Sequence, residues 1–347
     1  MEIKKMTFAV LTEKGNAEVH KRNLPEIGEG QVLVKHEACN ICTTDYGQWM
    51  GLREHQGYPM AGGHEWSGKI VKKGKNVLSE LEIGDRVAMA YTYCGQCDPC
   101  RQGITSECIN VKNQATKDGY LGAFGYADYS VRDAKVLMKM NPDLNASEAA
   151  FLEPLATVVE GLEKTRIKPF ETVVIIGAGT MGLLNAQAVR AHGARVIITE
   201  IMEKKIAAAE SLGFDVINAL EKDPVEEVHK RTNGRGADAV IIAVGTTKAN
   251  EQAMKMVKKL HGRILYFAAG YPAPKMDVDS NIIHYKKIEL IGTYGADMKD
   301  FFTAAKLLNE KFVDVSKLVE KTYKLGDIQE AYKAASTLGS FRVSVLL

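Results

Sequence analysis

Four consecutive β-branched apolar residues, Val173 to Ile176, stand out from the alternating patterns elsewhere in the chain. A run that is apolar at every position suits a strand buried on both faces of a parallel sheet. It is followed by Gly177-Ala178-Gly179-Thr180-Met181-Gly182 and then a helical stretch to His192, with apolar positions that include Met181, Leu184, Ala188 and Val189. A second β-branched strand, 195–199, ends in the acid Glu200. The pattern predicts a βαβ unit. Beyond it, a helix over 202–211, a strand near Val216, a helix opened by Asp223-Pro224, strands at 239–243, 263–267 and 288–291, and a helix over 250–260 extend the unit to a doubly wound parallel sheet over 155–294.

Upstream, the partly alternating segment 31–39, the strand-like 69–72, 86–90 and 121–131, and many Gly and Asn turns predict a β-rich, barrel-like domain over 1–154. Cys39 to Asp45 reads as a polar loop, and 147–165 as one helix with Ser147 as its N-cap. Residues 295–347 are helix-rich and finish in an apolar strand from Arg342 that can rejoin the first domain. The expected fold class is therefore α/β: a β-rich domain plus a doubly wound sheet.

The glycine spacing G-x-G-x-x-G gives the βαβ unit its chemistry. Gly177 permits a tight turn, Gly179 lets backbone approach a pyrophosphate, and Gly182 lets helix pack on strand. The helix N-terminus, from Thr180 and Met181, offers free N–H groups to phosphates. Glycine-rich turns also occur without a ligand, but the strand, helix, second strand and terminal acid together point to a dinucleotide. Glu200 is expected to accept hydrogen bonds from the adenosine ribose and to repel a 2′-phosphate, which favours NAD over NADP; the nearby Lys205 pulls the other way. The competing reading of Glu200 is a solvated loop acid.

Composition narrows the class. The chain has 347 residues, 46% hydrophobic and 25% charged, with a formal net charge of +2, which fits two ordinary globular domains and excludes a strong attraction to nucleic acid or anionic membranes. No apolar run approaches the ~20 residues of a membrane span, and the start Met1-Glu-Ile-Lys-Lys lacks the apolar core of a signal peptide. A cytoplasmic location is expected. Four of the six cysteines, Cys94, Cys97, Cys100 and Cys108, lie within fifteen residues. In a long chain of this kind such clustering points to metal rather than disulfides. Four thiolates enclose one tetrahedral Zn²⁺ and leave no open position, so this site, in a lobe over about 91–110, is expected to be structural. Free thiols or an iron–sulfur cluster are the alternatives.

Cys42, His64, Glu65 and Glu153 are too far apart for spacing to group them, yet they form the mixed S/N/O set that a catalytic zinc with one open position uses. Singly, each has a structural reading: a buried small hydrophobe, a satisfied core histidine, a surface acid. The whole-chain order of motifs changes the weighting. Cys42-Thr43-Thr44-Asp45, Gly63-His64-Glu65, the Cys94–Cys108 lobe, Glu153-Pro154-Leu155 and the Gly177–Gly182 loop together resemble the zinc-dependent medium-chain dehydrogenase/reductase family, closest to its polyol and sugar-alcohol dehydrogenases.

That resemblance implies a GroES-like catalytic domain formed by 1–154 and 295–347, a Rossmann domain over 155–294, one catalytic and one structural zinc per subunit, and a homo-oligomer, tetramer or dimer. It implies Cys42 and His64 as catalytic-zinc ligands, with Glu65 and Glu153 contesting the remaining position. Thr44 would start a proton relay, while Val244 and Arg342 would touch the nicotinamide and pyrophosphate regions. Cys39 would sit beside the metal without binding it. The implied reaction is reversible oxidation of a secondary hydroxyl by hydride transfer to NAD⁺, in a cleft between the domains. Two departures stand out: Thr43 replaces the family's usual glycine, and Gly47 replaces the histidine that ends the relay in many members. The run 294–297 also lacks the arginine of sorbitol-type enzymes, and Gly47 and Glu160 speak against the threonine dehydrogenase branch. Simple alcohols, threonine or phosphorylated polyols remain alternative substrates; Arg53, Lys117 or Lys299 can serve a phosphate. A zinc-lobe binding module and an NAD sensor are the non-enzymatic readings.

Overall fold

A computed structural model describes residues 3–111 and 115–347. Residues 1, 2 and 112–114, which fall within the predicted first domain, lie outside the described residues. The chain divides into two compact units, one of residues 1–156, 296–311 and 315–347, the other of 157–295 and 312–314.

The first unit opens with an antiparallel hairpin of β1 (Lys5–Glu13) and β2 (Asn16–Asn23). Then come β3 (Gln31–Asn40), α1 (Thr43–Trp49), β4 (Glu65–Lys73), β5 (Arg86–Met89), α2 (Asp98–Arg101), β6 (Tyr129–Asp133), β7 (Leu137–Lys139), α3 (Ala146–Ala149) and α4 (Leu152–Thr165), within which the unit boundary falls. The second unit runs β8 (Thr172–Ile176), α5 (Thr180–Ala191), β9 (Arg195–Glu200), α6 (Glu203–Ser211), β10 (Asp215–Asn218), α7 (Pro224–Arg231), β11 (Ala239–Ile242), α8 (Thr247–Met256), β12 (Arg263–Tyr266), α9 (Ser280–Lys286) and β13 (Glu289–Gly292). The chain returns to the first unit for α10 (Met298–Asn309), β14 (Val319–Lys324), α11 (Ile328–Ala335) and β15 (Arg342–Leu346).

In the second unit all six strands are parallel and lie in the order β10-β9-β8-β11-β12-β13. By sequence this is the order 3-2-1-4-5-6 of a doubly wound dinucleotide fold, whose ligand crevice lies beyond the strand carboxyl ends. The β-branched run predicted as a two-sided strand is β8, with Val173, Val174 and Ile175 fully buried.

In the first unit a sheet runs β14-β15-β3-β4-β5-β7, with β6 also on β3. The C-terminal strand rejoins the first domain as expected: β15 pairs antiparallel with β3, Ser344 opposite Asn40. At the centre of this sheet His36 is fully buried, stacked on Trp66 at 3.9 Å between ring centroids, with Nδ1 3.0 Å from Gly125 O and Nε2 2.7 Å from Ser130 Oγ. Burial and the Arg132 charge bring its pKa down to about 3. A histidine neutral when folded and of ordinary pKa when unfolded leaves the unfolded chain binding more protons below pH ~6.5, so its stability is full above that pH and lost as pH falls toward 3, by about 1.4 kcal/mol per unit. His36→Asn, keeping a donor and an acceptor, is expected to flatten the pH dependence of unfolding free energy by about one proton between pH 6 and 4; identical slopes in denaturant titrations would contradict this.

Four predicted elements differ. Cys42–Asp45 is not a loop: Cys42 caps α1, and the Asp45 carboxylate reaches back to the Cys42 N–H as in a capping box. The helix over 147–165 is two helices, capped not by Ser147 but by Asn145, whose side chain accepts from Glu148 N–H; Ser147 instead meets Ser344 Oγ at 2.7 Å. Within 121–128 only Leu121 and Ala127 form bridges, both isolated, and β6 starts at Tyr129; Gly122 and Phe124 adopt positive φ, which interrupts an extended strand. The 250–260 helix starts at Thr247, capped by the Thr246 hydroxyl, and ends at Met256, where Val257 turns extended.

Candidate functional site

The loop that follows β8 holds Gly177 at φ +99°, and α5 begins at Thr180 with Gly179 as its N-cap. A Cβ on Gly182 would stand 1.9 Å from the Gly177 carbonyl oxygen, so this position has no room for any side chain. Glu200, at the end of β9, is 7% exposed rather than solvated. Its Oε2 accepts the Ala178 N–H at 2.7 Å, and its Oε1 accepts those of Ile201 (2.7 Å) and Met202 (3.0 Å). An anion is thereby fixed beneath the glycine loop. Lys205 Nζ would lie 3.6 Å from a Cβ on Gly179, and Val244 Cβ 3.4 Å from one on Gly177; the fold brings both to the loop, along with Thr180 and Met181 in the first turn of α5. Gly182→Ala is expected to weaken dinucleotide binding by at least about tenfold, because the displaced turn costs on the order of 1–3 kcal/mol, with metal content unchanged. Unaltered affinity by calorimetry would show that the loop does not hold the cofactor.

In the first unit the β3–β4 ladder pairs Asn40 with Glu65. The residues just beyond, Cys42 on one strand end and His64 on the other, therefore emerge at the same end of the ladder. Donor atoms of Cys42, His64 and Glu65 lie within 4.8 Å of one another. Thr44 Oγ1, in the first turn of α1, is 3.8 Å from Cys42 Sγ. Asp45, which the motif contains but to which no role was assigned, is the organiser. Its Oδ2 accepts the Cys42 N–H at 3.0 Å, its Oδ1 accepts the Gly63 N–H at 3.2 Å, and Oδ1 faces His64 Nδ1 at 3.6 Å. Burial opposes its ionisation, but His64 and the two backbone donors hold its carboxyl below the usual range. Burial alone would lower the His64 pKa; the charges of Asp45 and Glu153 raise it well above the ordinary value. A signal existed in sequence: an acid three residues after the helix-capping position.

Two further site residues have the following surroundings. Arg342, expected near the pyrophosphate, forms a two-pronged ion pair with the fully buried Glu65, Nε to Oε2 at 2.9 Å and Nη2 to Oε1 at 2.6 Å, and its Nη2 is 3.9 Å from Cys42 Sγ. The reason is register: Ile41 N–H donates to Val343 O at 2.9 Å, which sets the start of β15 beside Cys42. Glu153, 7% exposed near the start of α4, is not one of the three converging donors; its Oε1 accepts from the Tyr91 hydroxyl. Cys39 is fully buried, and its thiol is pushed well up by burial and the nearby Asp45 and Glu65.

The donor chemistry fits a zinc ion: one thiol, one imidazole whose Nδ1 faces a carboxylate, and carboxylates beside them. The Cys94–Cys108 lobe fits a second. Its four cysteines form one cluster without disulfides. Cys94 and Cys100 sulfurs are 4.0 Å apart and those of Cys97 and Cys108 3.9 Å, near the ~3.8 Å edge of a tetrahedron with 2.3 Å arms. Backbone N–H groups of Gln96 and Cys97 bring the Cys94 thiol down to about 6, whereas desolvation pushes Cys100 up to about 12. Four sulfurs this close ionise together only around a cation.

Known proteins are similar to this chain along nearly its whole length. Residues 28–142 match the alcohol dehydrogenase GroES-like domain and residues 180–310 the zinc-binding dehydrogenase family. A sorbitol dehydrogenase of Halalkalibacterium halodurans is 31% identical over 340 residues, 95% of each chain. A D-arabitol-phosphate dehydrogenase of Enterococcus avium is 30% identical over 317 residues, 89% of this chain and 88% of the relative. Among solved structures, a zinc-binding dehydrogenase of Sinorhizobium meliloti bound to NADP superposes with a TM-score of 0.85 at 25% identity, covering 99% of both chains. The chain belongs to the zinc-dependent medium-chain dehydrogenase/reductase family, on its polyol-dehydrogenase-like side, and is an oxidoreductase with a GroES-like and a Rossmann domain. Among the described residues no helix is long and apolar enough to cross a membrane.

Proposed function

We propose that the protein reversibly oxidises a secondary hydroxyl of a small polyol or sugar alcohol, with NAD⁺ as hydride acceptor. The observation that carries this reading is the convergence of Cys42, His64 and Glu65 at one end of the β3–β4 ladder. Cys42 and His64, with Glu65 or Glu153 contesting the third position, would hold a zinc ion whose Lewis acidity lowers the pKa of a substrate hydroxyl. Thr44, beside Cys42, takes the hydroxyl proton and passes it outward. Gly47 offers no side chain for the next step, so the proton leaves through water. Asp45, whose Oδ1 faces His64 Nδ1, would orient the imidazole as a ligand. The four lobe cysteines would hold a second, structural zinc, and Arg342 balances Glu65.

NAD⁺ is preferred because Glu200 is a fixed anion at the end of β9, where a 2′-phosphate would meet it. Glu200→Ala is expected to lower the ratio of NAD⁺ to NADP⁺ kcat/KM by about tenfold, one lost charge repulsion or hydrogen bond being worth about 1.4 kcal/mol; an unchanged ratio by steady-state kinetics would remove Glu200 from cofactor selection. The working protein is a homo-oligomer, tetramer or dimer, on the strength of the family resemblance.

A second reading has its own support. Arg53 lies over Gly47, its Cδ 3.6 Å and Nε 3.8 Å from where a Cβ on Gly47 would be. A guanidinium stem in the place of a relay side chain favours an anionic substrate, such as a polyol phosphate. NADH formation against polyols, polyol phosphates and simple alcohols tests both. Turnover of neutral polyols supports the first reading, and turnover confined to phosphorylated ones the second. Turnover of neither, with two metals bound, would reject both.

A further inference from the structure

Asp45 bonds to both metal-donor segments, and its geometry raises the question of what holds it. Of its two oxygens, Oδ1 is taken by the Gly63 N–H and faces His64, and Oδ2 takes the Cys42 N–H. The fourth partner comes from neither segment. The Tyr126 hydroxyl lies 3.1 Å from Asp45 Oδ2 and 3.3 Å from Asn40 O. A hydroxyl has one proton, and a carboxylate is a stronger acceptor than an amide carbonyl, so the proton goes to Asp45 as a charge-assisted bond. Tyr126 is 1% exposed, in a core cluster with Cys39, Ile41, Trp66 and Tyr332, the last meeting its ring edge-on at 6.1 Å. The backbone behind it is equally confined: a Cβ on Gly63 would be 2.8 Å from Tyr126 N, and one on Gly125 2.2 Å from Gly63 O. The phenol ring therefore has no freedom to swing, and its oxygen is a fixed point.

We propose that Tyr126 is a positioning residue for the metal centre: its hydroxyl fixes the rotation of the Asp45 carboxylate, so that Oδ1 faces His64 Nδ1 while Oδ2 holds Cys42. Without that anchor the carboxylate keeps its charge but turns about its own axis, and both donor segments lose a common reference. This inference rests on the reading of Cys42 and His64 as zinc ligands, and reaches beyond it by assigning a role to a side chain eighty-one positions from Asp45.

Tyr126→Phe removes one oxygen atom and keeps the ring. Full-length wild type, Tyr126→Phe, Asp45→Asn and the double variant are loaded with zinc and titrated with a chromophoric chelator, the lobe metal serving as internal reference. The zinc affinity of the Cys42–His64 site is expected to fall about tenfold in Tyr126→Phe, the low end for groups that orient a metal ligand, with lobe affinity unchanged. In the Asp45→Asn background the same substitution should cost less than about twofold, because it acts through Asp45. Cobalt in place of zinc should show shifted visible absorption bands in Tyr126→Phe, reporting altered ligand geometry. Unchanged affinity and spectrum, an equal loss with Asp45→Asn, or parallel loss from the lobe would each overturn the proposal. A wild type that binds zinc only at the lobe would overturn it by a different route, by removing the Cys42–His64 metal site itself.

Discussion

Cys42→Ser is expected to abolish turnover, reducing kcat/KM by at least about a thousandfold, or ~4 kcal/mol of transition-state stabilisation, while metal content falls from two ions per subunit to one and NAD⁺ affinity stays within about twofold of wild type. The physical reason is that serine keeps the backbone N–H that donates to Asp45 but replaces a thiolate ligand with a hydroxyl that does not ionise at neutral pH. The surviving imidazole and carboxylates sit in a buried site already balanced by Asp45 and Arg342. Glu65 in particular is paired to Arg342 by two hydrogen bonds and reaches a metal only by giving some of that up. Loss of the thiolate is thus not made good by its neighbours. The dinucleotide loop lies in the other compact unit, on β8 and α5, and keeps its own supports in Gly182 and Glu200. Metal analysis, calorimetry with NAD⁺ and steady-state kinetics on one preparation separate the possibilities. One metal in both wild type and variant would mean that Cys42 and His64 hold none, and the proposed chemistry would fail even though the fold stands.

What could be read from the chain depended on how local the interaction is. The glycine loop, its flanking strands and Glu200 occupy twenty-nine consecutive positions from Thr172 to Glu200, so one βαβ unit carries their whole signal. The cysteine quartet is as compact. The catalytic donors are different. Cys42 and His64 meet because β3 and β4 pair with Asn40 opposite Glu65, and Arg342 joins them because β15 pairs with β3. Such registers depend on which faces are buried across a whole sheet and leave no periodicity in any single segment. Family resemblance supplied the donors, but it gave no sign of the Arg342–Glu65 pair and left Asp45 without a role. The missed helix at Thr43 has a local cause: cysteine is not among the usual capping residues, so the Cys42–Asp45 box went unread. Tyr126 had no local signal, since its partner Asp45 lies eighty-one positions away.

Cys94→Ser is expected to act on stability before chemistry. The lobe has little core of its own: Ile104, Ile109 and Val111 are exposed, and Cys97 is its main buried apolar side chain. Its order rests on the sulfur cluster and on a short line of contacts to α10, where Ser106 N–H and hydroxyl both donate to Asp297 Oδ1 (2.9 and 2.8 Å) and Met298 N–H donates to Thr105 Oγ1 at 3.0 Å. A structural zinc contributes on the order of 10 kcal/mol to the segment it closes. Without it those contacts must order the lobe alone, and about 1 kcal/mol each does not offset the entropy of some fifteen residues. One metal per subunit should therefore be lost from the lobe while the Cys42 site keeps its own. Hydrogen exchange should quicken first over 94–108, and Tm should fall by on the order of 10 °C. Activity should drop only in part, along a path the structure makes visible. Released Asp297 loosens the start of α10, Phe301 of α10 packs edge-on against Tyr91 at 5.1 Å, and the Tyr91 hydroxyl holds Glu153. A Cys94→Ser protein with two tightly held metals and wild-type Tm would show that the quartet closes no metal site. Complete loss of turnover at unchanged Tm would show instead that the lobe belongs to the catalytic machinery.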